Sequence, residues 1–165
     1  MRLFLAYAHG DYGQLKHLAD VLHEHDHATS IAFKLMPGAD WKQLLIQTIE
    51  DYDAVIYAIS PESVVNEWCR WQVGEGVRLG KPIFPVILRP TSGIPTRLGE
   101  HEVPDFSEGP SEAFSASLLA VLRDADDFRL PSTDMQAPQD PRGVPAQAHE
   151  AYTPPGPIRS MPTQD

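Results

Sequence analysis

With 165 residues, 42% of them hydrophobic, and a formal charge of -10, the chain is long enough to bury one respectable core and too short for two independent ones. Acidity without clustered Lys and Arg excludes the nucleic-acid backbone and anionic membrane as main partners. A single cysteine, Cys69, excludes an intramolecular disulfide framework and a CxxC pair, and fits a cytoplasmic, reducing environment.

The first apolar run, Leu3 to Ala8, is too short for a signal-peptide core, because it ends at His9-Gly10-Asp11. It reads as a strand followed by a turn, with Asp11 as N-cap of a helix over Tyr12 to His23. Leu15, Leu18, Ala19 and Leu22 fall at helical spacing and mark that helix's core face. His23-Glu24-His25-Asp26-His27 offers metal-ligating side chains, but neighbours two apart on a helix point away from each other. The reading preferred here is a solvated helix end, where partly charged histidines suit the negative end of the dipole, and no metal is expected. No stretch approaches the roughly 18 apolar residues of a membrane span.

Ser30 to Leu35 reads as a weak second strand near the sheet edge, and Met36 to Trp41 as a loop. Asp40 is placed to cap a second helix whose apolar face is Leu44, Leu45, Thr48 and Ile49. Ala54 to Ile59 is uniformly apolar and reads as a parallel strand covered on both faces. Ser60-Pro61 stops it, and proline at a first helical position predicts helix entry there. Val65, Cys69, Val73 and Val77, with Trp68 beside them, form a narrow apolar stripe for packing on the sheet. Gly74 and Gly76 each cost a helix about 1 kcal/mol relative to alanine, which points to close packing against a neighbour.

Pro82 to Leu88 is a fourth, central strand, and Arg89 to Pro95 leaves its end as an irregular loop. Glu102 to Phe106 predicts a short fifth strand at the edge, where Pro104 is tolerable. Ser111 starts a last helix, with Glu112 in its first turn and Phe114, Leu118, Leu119, Val121 and Leu122 as its apolar contacts. Eight of the sixteen prolines lie from Pro131 onward, where periodicity vanishes. The expected organisation is therefore a domain over residues 1–126 and a disordered Pro-rich tail or linker over 127–165. The alternation predicts a flavodoxin-like three-layer α/β/α fold around a five-stranded, mainly parallel sheet of order 2-1-3-4-5, with ligands expected at the switch point between strands one and three.

The order Ser60-Pro61, then Asn66-Glu67-Trp68-Cys69, then Gly80-Lys81-Pro82-Ile83-Phe84-Pro85-Val86 resembles the TIR (Toll/interleukin-1 receptor) domain family, especially its bacterial branch. The likeness covers about residues 1 to 125. Phe4-Leu5-Ala6-Tyr7-Ala8 stands where the family reads Phe-x-Ser-Tyr-Ser, with Ala6 at the usual serine. Gly38-Ala39-Asp40-Trp41 ends the counterpart of the family's nucleotide-covering loop, and the acidic residue often found just after the strand is absent, with Lys34 nearby instead. The resemblance implies NAD as substrate or ligand, held by Ala6, Tyr7, Ala8, Lys34, Pro37, Gly38, Trp41, Ser60 and Trp68. It places Gln72 at the position of the glutamate with which catalytic members break NAD.

Glutamine keeps glutamate's shape but supplies no charge to an oxocarbenium-like transition state. Glu75 lies one turn on, about 60 degrees around the helix, in a direction that leads away from the carboxyl edge, and Glu67 faces elsewhere. Cys69, on the apolar stripe, reads as a buried structural thiol. Three functions follow from the resemblance and the residues together. The first is a signalling or immune-signalling domain working through association with itself or other TIR domains, with an effector or sensor domain beyond the tail and NAD cleavage weak or absent. The second is an NAD+ glycohydrolase of anti-phage defence, with Gln72 an engineered or bypassed position. The third is another α/β nucleoside-processing domain, such as a deoxyribosyltransferase.

Overall fold

The structure, a computed structural model, describes residues 1–30, 41–92, 94 and 102–130. Four strands, β1 (Arg2–Ala6), β2 (Ala28–Thr29), β3 (Ala54–Ile59) and β4 (Ile83–Ile87), form a parallel sheet of order β2-β1-β3-β4. The register pairs Leu3 with Ala54 and Val55 with Ile83. Four helices, α1 (Tyr12–Glu24), α2 (Trp41–Asp51), α3 (Glu67–Arg78) and α4 (Glu112–Arg123), complete a flavodoxin-like α/β fold.

Every residue of β3 is buried, as its uniform apolarity requires. The side chains alternate between two cores. Leu3, Leu5, Ala54, Ile56 and Ala58 meet α1 and α4 through Leu15, Leu18, Leu22, Phe114 and Leu118. Phe4, Ala6, Val55, Tyr57 and Ile59 meet α2 and α3 through Leu45, Ile49, Trp68, Trp71 and Val73. This two-sided burial is what a parallel sheet with crossover helices on both faces produces.

Three elements differ from the sequence expectation. The second strand starts earlier, at Ala28, because Ala28 N–H donates to the Met1 carbonyl and Ser30 N–H to that of Leu3, both at 3.1 Å. The Ser30 hydroxyl then accepts from Leu5 N–H at 2.8 Å, so a side chain takes the next ladder position. Residues 31–40, where the rest of the expected second strand, the expected covering loop and the expected Asp40 cap fall, lie outside the described residues.

The fifth strand is reduced to a single parallel bridge, Ile87 to Asp105. Ile87 N–H donates to Pro104 C=O at 2.9 Å and Phe106 N–H returns to Ile87 C=O at 2.7 Å. Pro104, with no N–H, cannot extend the ladder.

The third difference is the start of α3. Pro61 sits in a turn, and the helix begins at Glu67, capped by Asn66, whose side chain accepts from Cys69 N–H at 2.9 Å. A Ser60–Ser63 staple holds that turn: Ser60 N–H donates to Ser63 Oγ at 2.8 Å and Ser63 N–H to Ser60 Oγ at 3.1 Å. Val65, expected on the apolar stripe, is therefore 74% exposed, while Cys69, Val73 and Val77 are buried.

Packing continues past α4. Phe128, in a short 3-10 turn, is buried against Phe84 with ring centroids 5.3 Å apart, and Leu130 packs against the opposite core. Of the tail expected over 127–165, residues 127–130 thus include the buried Phe128, and residues 131–165 lie outside the described residues.

Gly76 supplies the close approach of α3 to the sheet. A Cβ there would stand 2.7 Å from Val55 Cγ2 and 3.0 Å from Ile83 Cδ1, and a β-branched valine in a buried strand has no rotamer freedom to give. Gly76→Ala is expected to destabilise by about 1–2 kcal/mol, because overpacking outweighs the gain in helix propensity. Urea denaturation checks this, and a stabilised variant would contradict it.

Candidate functional site at the carboxyl edge

The carboxyl ends of β1, β3 and β4 meet around one buried carboxylate. Asp11 closes the 3-10 turn after β1, its N–H donating to Ala8 C=O at 2.9 Å. The sequence reading makes Asp11 the N-cap of α1, and its backbone does occupy that position, but its side chain makes no capping hydrogen bond. It turns instead into the sheet edge. There the Ser60 hydroxyl, at the end of β3, donates to Asp11 Oδ2. Arg89, which follows β4, donates to Asp11 Oδ1 from Nε at 2.9 Å and from Nη2 at 2.7 Å. The Asp11 side chain is fully enclosed, so charge-bearing partners are what make its burial tolerable.

Arg89 is anchored through its backbone as well. Leu88 and Arg89 N–H both point at Ile59 C=O, at 2.8 and 3.3 Å, which carries the guanidinium over the end of β3. Its Nη2 also pairs with Glu62, in the turn before α3. That carboxyl is held below its usual range, chiefly by its own backbone N–H, with Arg89 contributing. From the α1 side, Gln14 Nε2 donates to Leu88 C=O at 2.5 Å and to Phe106 C=O at 3.1 Å, fixing the end of β4.

The residues expected to hold a nucleotide divide into two groups. Ala6, Tyr7, Ala8, Ser60, Trp68 and Gln72 are all 4% exposed or less, with Ala6 and Trp68 in the core on the α2 and α3 side and Tyr7 in the core on the α1 and α4 side. Lys34, Pro37, Gly38 and the side chain of Trp41 lie outside the described residues. Trp68 meets Trp71 edge to face, with ring centroids 5.6 Å apart. Gln72, which could have been an ordinary half-exposed helix glutamine, is buried at 2% exposure. Glu75 does not lend it a charge. Arg78 binds the Glu75 carboxylate through Nε at 2.8 Å and Nη2 at 2.6 Å. Among the described residues, no group of three His, Cys, Asp or Glu is placed to hold a metal ion.

Sequence reasoning missed Arg89, gave Glu62 no role of its own, and read the Asp11 side chain as a helix cap. The available signal was a single arginine directly after a uniformly apolar strand, at the edge where loops collect.

Burial controls protonation next to this network. It pushes the Cys69 thiol up to about 12, with Asp11 adding to the effect, and the Tyr57 hydroxyl up to about 12, with Cys69 adding. Tyr7 is raised further still by burial, then by Tyr12 and Cys69.

The architecture is that of a parallel α/β domain whose strand order reverses between β1 and β3, the place where such sheets in general receive ligands. The sequence matches the family described as TIR domain over residues 3–120, and the chain belongs to that family. A similar solved structure is the TIR domain of the Toll-related receptor TRR-2 from Hydra magnipapillata, at 21% identity and TM-score 0.60, covering 74% of this chain and 96% of that one. The Clostridium botulinum CMP N-glycosidase BcmB matches at 17% identity and TM-score 0.49, covering 74% of this chain and 98% of the other. No curated protein matches the sequence significantly. Among the described residues, no helix is long and apolar enough to cross a membrane.

The raised groups make alkaline stability testable. Cys69 and Tyr57 keep protons in the fold that an unfolded chain releases near their ordinary values of 9.0 and 10.0. The unfolded state therefore binds fewer protons above pH 9, and stability falls as pH rises from about 9 toward 12. The urea midpoint is expected to drop steadily across pH 9–11 while Cys69 stays inert to a thiol reagent at pH 8 until the chain unfolds. Rapid labelling of the folded protein would contradict this.

Proposed function

We propose that this chain is an assembly domain of signalling, of the bacterial TIR type and cytoplasmic, which associates with itself or with other TIR domains and cleaves NAD weakly or not at all. The observation that carries the reading is Gln72. It stands at the family's glutamate position, is 2% exposed and bears no charge, while the nearest candidate for a substitute, Glu75, is already bound by Arg78. A departing nicotinamide leaves positive charge on the ribose, and a buried amide stabilises it far less than a carboxylate does.

Membership of the TIR family supports association as the working mode. An NAD-consuming role in defence is the alternative, with Gln72 an engineered or bypassed position.

The test compares nicotinamide release by purified protein at high concentration with that of Gln72→Glu. It is run at pH 8, because burial raises the pKa of the introduced carboxyl. The natural chain is expected to be slower by about a hundredfold to a thousandfold, the worth of one well-placed electrostatic group. Equal, rapid turnover by both proteins would overturn the proposal.

A further inference from the structure

His27 departs from the histidines before it. His23 is exposed at the end of α1, but the chain then turns sharply through Asp26, at φ 64, and carries His27 back against the first strand. The His27 N–H donates to Leu22 C=O at 2.9 Å, and the next residue, Ala28, donates to Met1 C=O at 3.1 Å. His27 thus joins the end of α1 to the seam between β2 and β1. Its imidazole Nδ1 is enclosed there and has no hydrogen-bond partner among the described residues.

That enclosure makes a proton costly. In the imidazolium both ring nitrogens carry N–H groups, so Nδ1 becomes a charged donor facing no acceptor. The carbonyls at the end of α1 that suit a charged histidine are already taken, Leu22 by the N–H groups of His25 and His27, and His23 by that of Asp26. Burial lowers the His27 pKa from its ordinary 6.5, with the positive amino terminus at Met1 and His25 acting the same way, while the Met1 backbone and Asp26 oppose them.

The structure beside His27 is weakly held. β2 is two residues long and stands at the end of the strand order. Its ladder is Ala28 and Ser30 donating to Met1 and Leu3, continued by the Ser30 hydroxyl accepting from Leu5 N–H. So short an edge can open while the central strands stay closed. We propose that His27 is a proton-sensitive latch on the β2 edge of the sheet, which holds β2 against β1 when neutral and lets that edge open when protonated.

The direction follows from linkage. A histidine whose pKa is lower in the closed edge than in the open one contributes stability that is fully present above pH 6.5 and is lost as pH falls toward the closed-state value. Opening leaves the Met1 and Leu3 carbonyls and the Leu5 N–H without their partners, and an unpaired strand edge is a place where another strand can add. The latch is independent of what stands at position 72.

Amide hydrogen exchange on the full chain with a free amino terminus, compared at pH 7.5 and 5.5 after correction for intrinsic exchange, tests the latch. Protection of Ala28 and Ser30 is expected to fall about three- to tenfold at pH 5.5, one proton allowing at most about tenfold per pH unit. Protection in β3 should not change, and the His27 ring resonance should titrate below 6.5. His27→Gln keeps a polar side chain that takes no charge, and is expected to abolish the pH dependence; should it fail to fold, His27→Asn serves the same comparison. A merely packing role predicts instead that the natural chain's protection is the same at both pH values. That result, a pH-dependent loss persisting in the variant, an equal loss in β3, or a His27 ring titrating at or above 6.5 would overturn the latch.

Discussion

The carboxyl edge depends on one buried charge. Asp11 sits with its side chain fully enclosed, and a carboxylate there is stable only while hydrogen-bond donors and an opposite charge stay beside it. Ser60 and Arg89 meet that demand from β3 and β4, while Asp11 itself belongs to the turn after β1. Three strands whose pairing is otherwise set by backbone ladders are thus locked together at the end where a ligand would bind. The Ser60–Ser63 staple and the Asn66 cap follow from the same arrangement. With Ser60 committed to Asp11, the chain turns through 61–66 before α3 begins.

That arrangement explains which parts of the molecule were legible from sequence. β3 and β4 could be read directly, because burial on both faces leaves an uninterrupted apolar run. The helix faces followed from spacing, and the requirement for glycine at Gly76 from its cost within a helix. The Asp11–Arg89 pair was not legible, since its partners are 78 residues apart and meet only once the strand order is known. Asp11 satisfied a local rule as N-cap, and the tertiary contact overrode it. Pro61 likewise met a local rule for helix entry, but the serine staple and the better-placed Asn66 moved the start to Glu67. Pro104 weakened the edge strand to one bridge for the reason that made an edge position acceptable in the first place.

The candidate site was legible by halves. Its walls on β1, β3 and α3 came from the family resemblance, and Ala6, Ser60, Trp68 and Gln72 are all buried in the fold. Its exposed charges came from neither composition nor motif. Arg89 and Glu62 are single residues in loops, and only the geometry gives them a common role. The edge that results has a buried neutral amide at Gln72 and a guanidinium braced by the buried Asp11 carboxylate.

Concentration-dependent self-association, followed by sedimentation velocity over micromolar to near-millimolar protein, tests the central claim most directly. The expected result is a reversible rise in mean mass with concentration and no nicotinamide release from added NAD under the same conditions. A chain that stays monomeric throughout while steadily consuming NAD would contradict it.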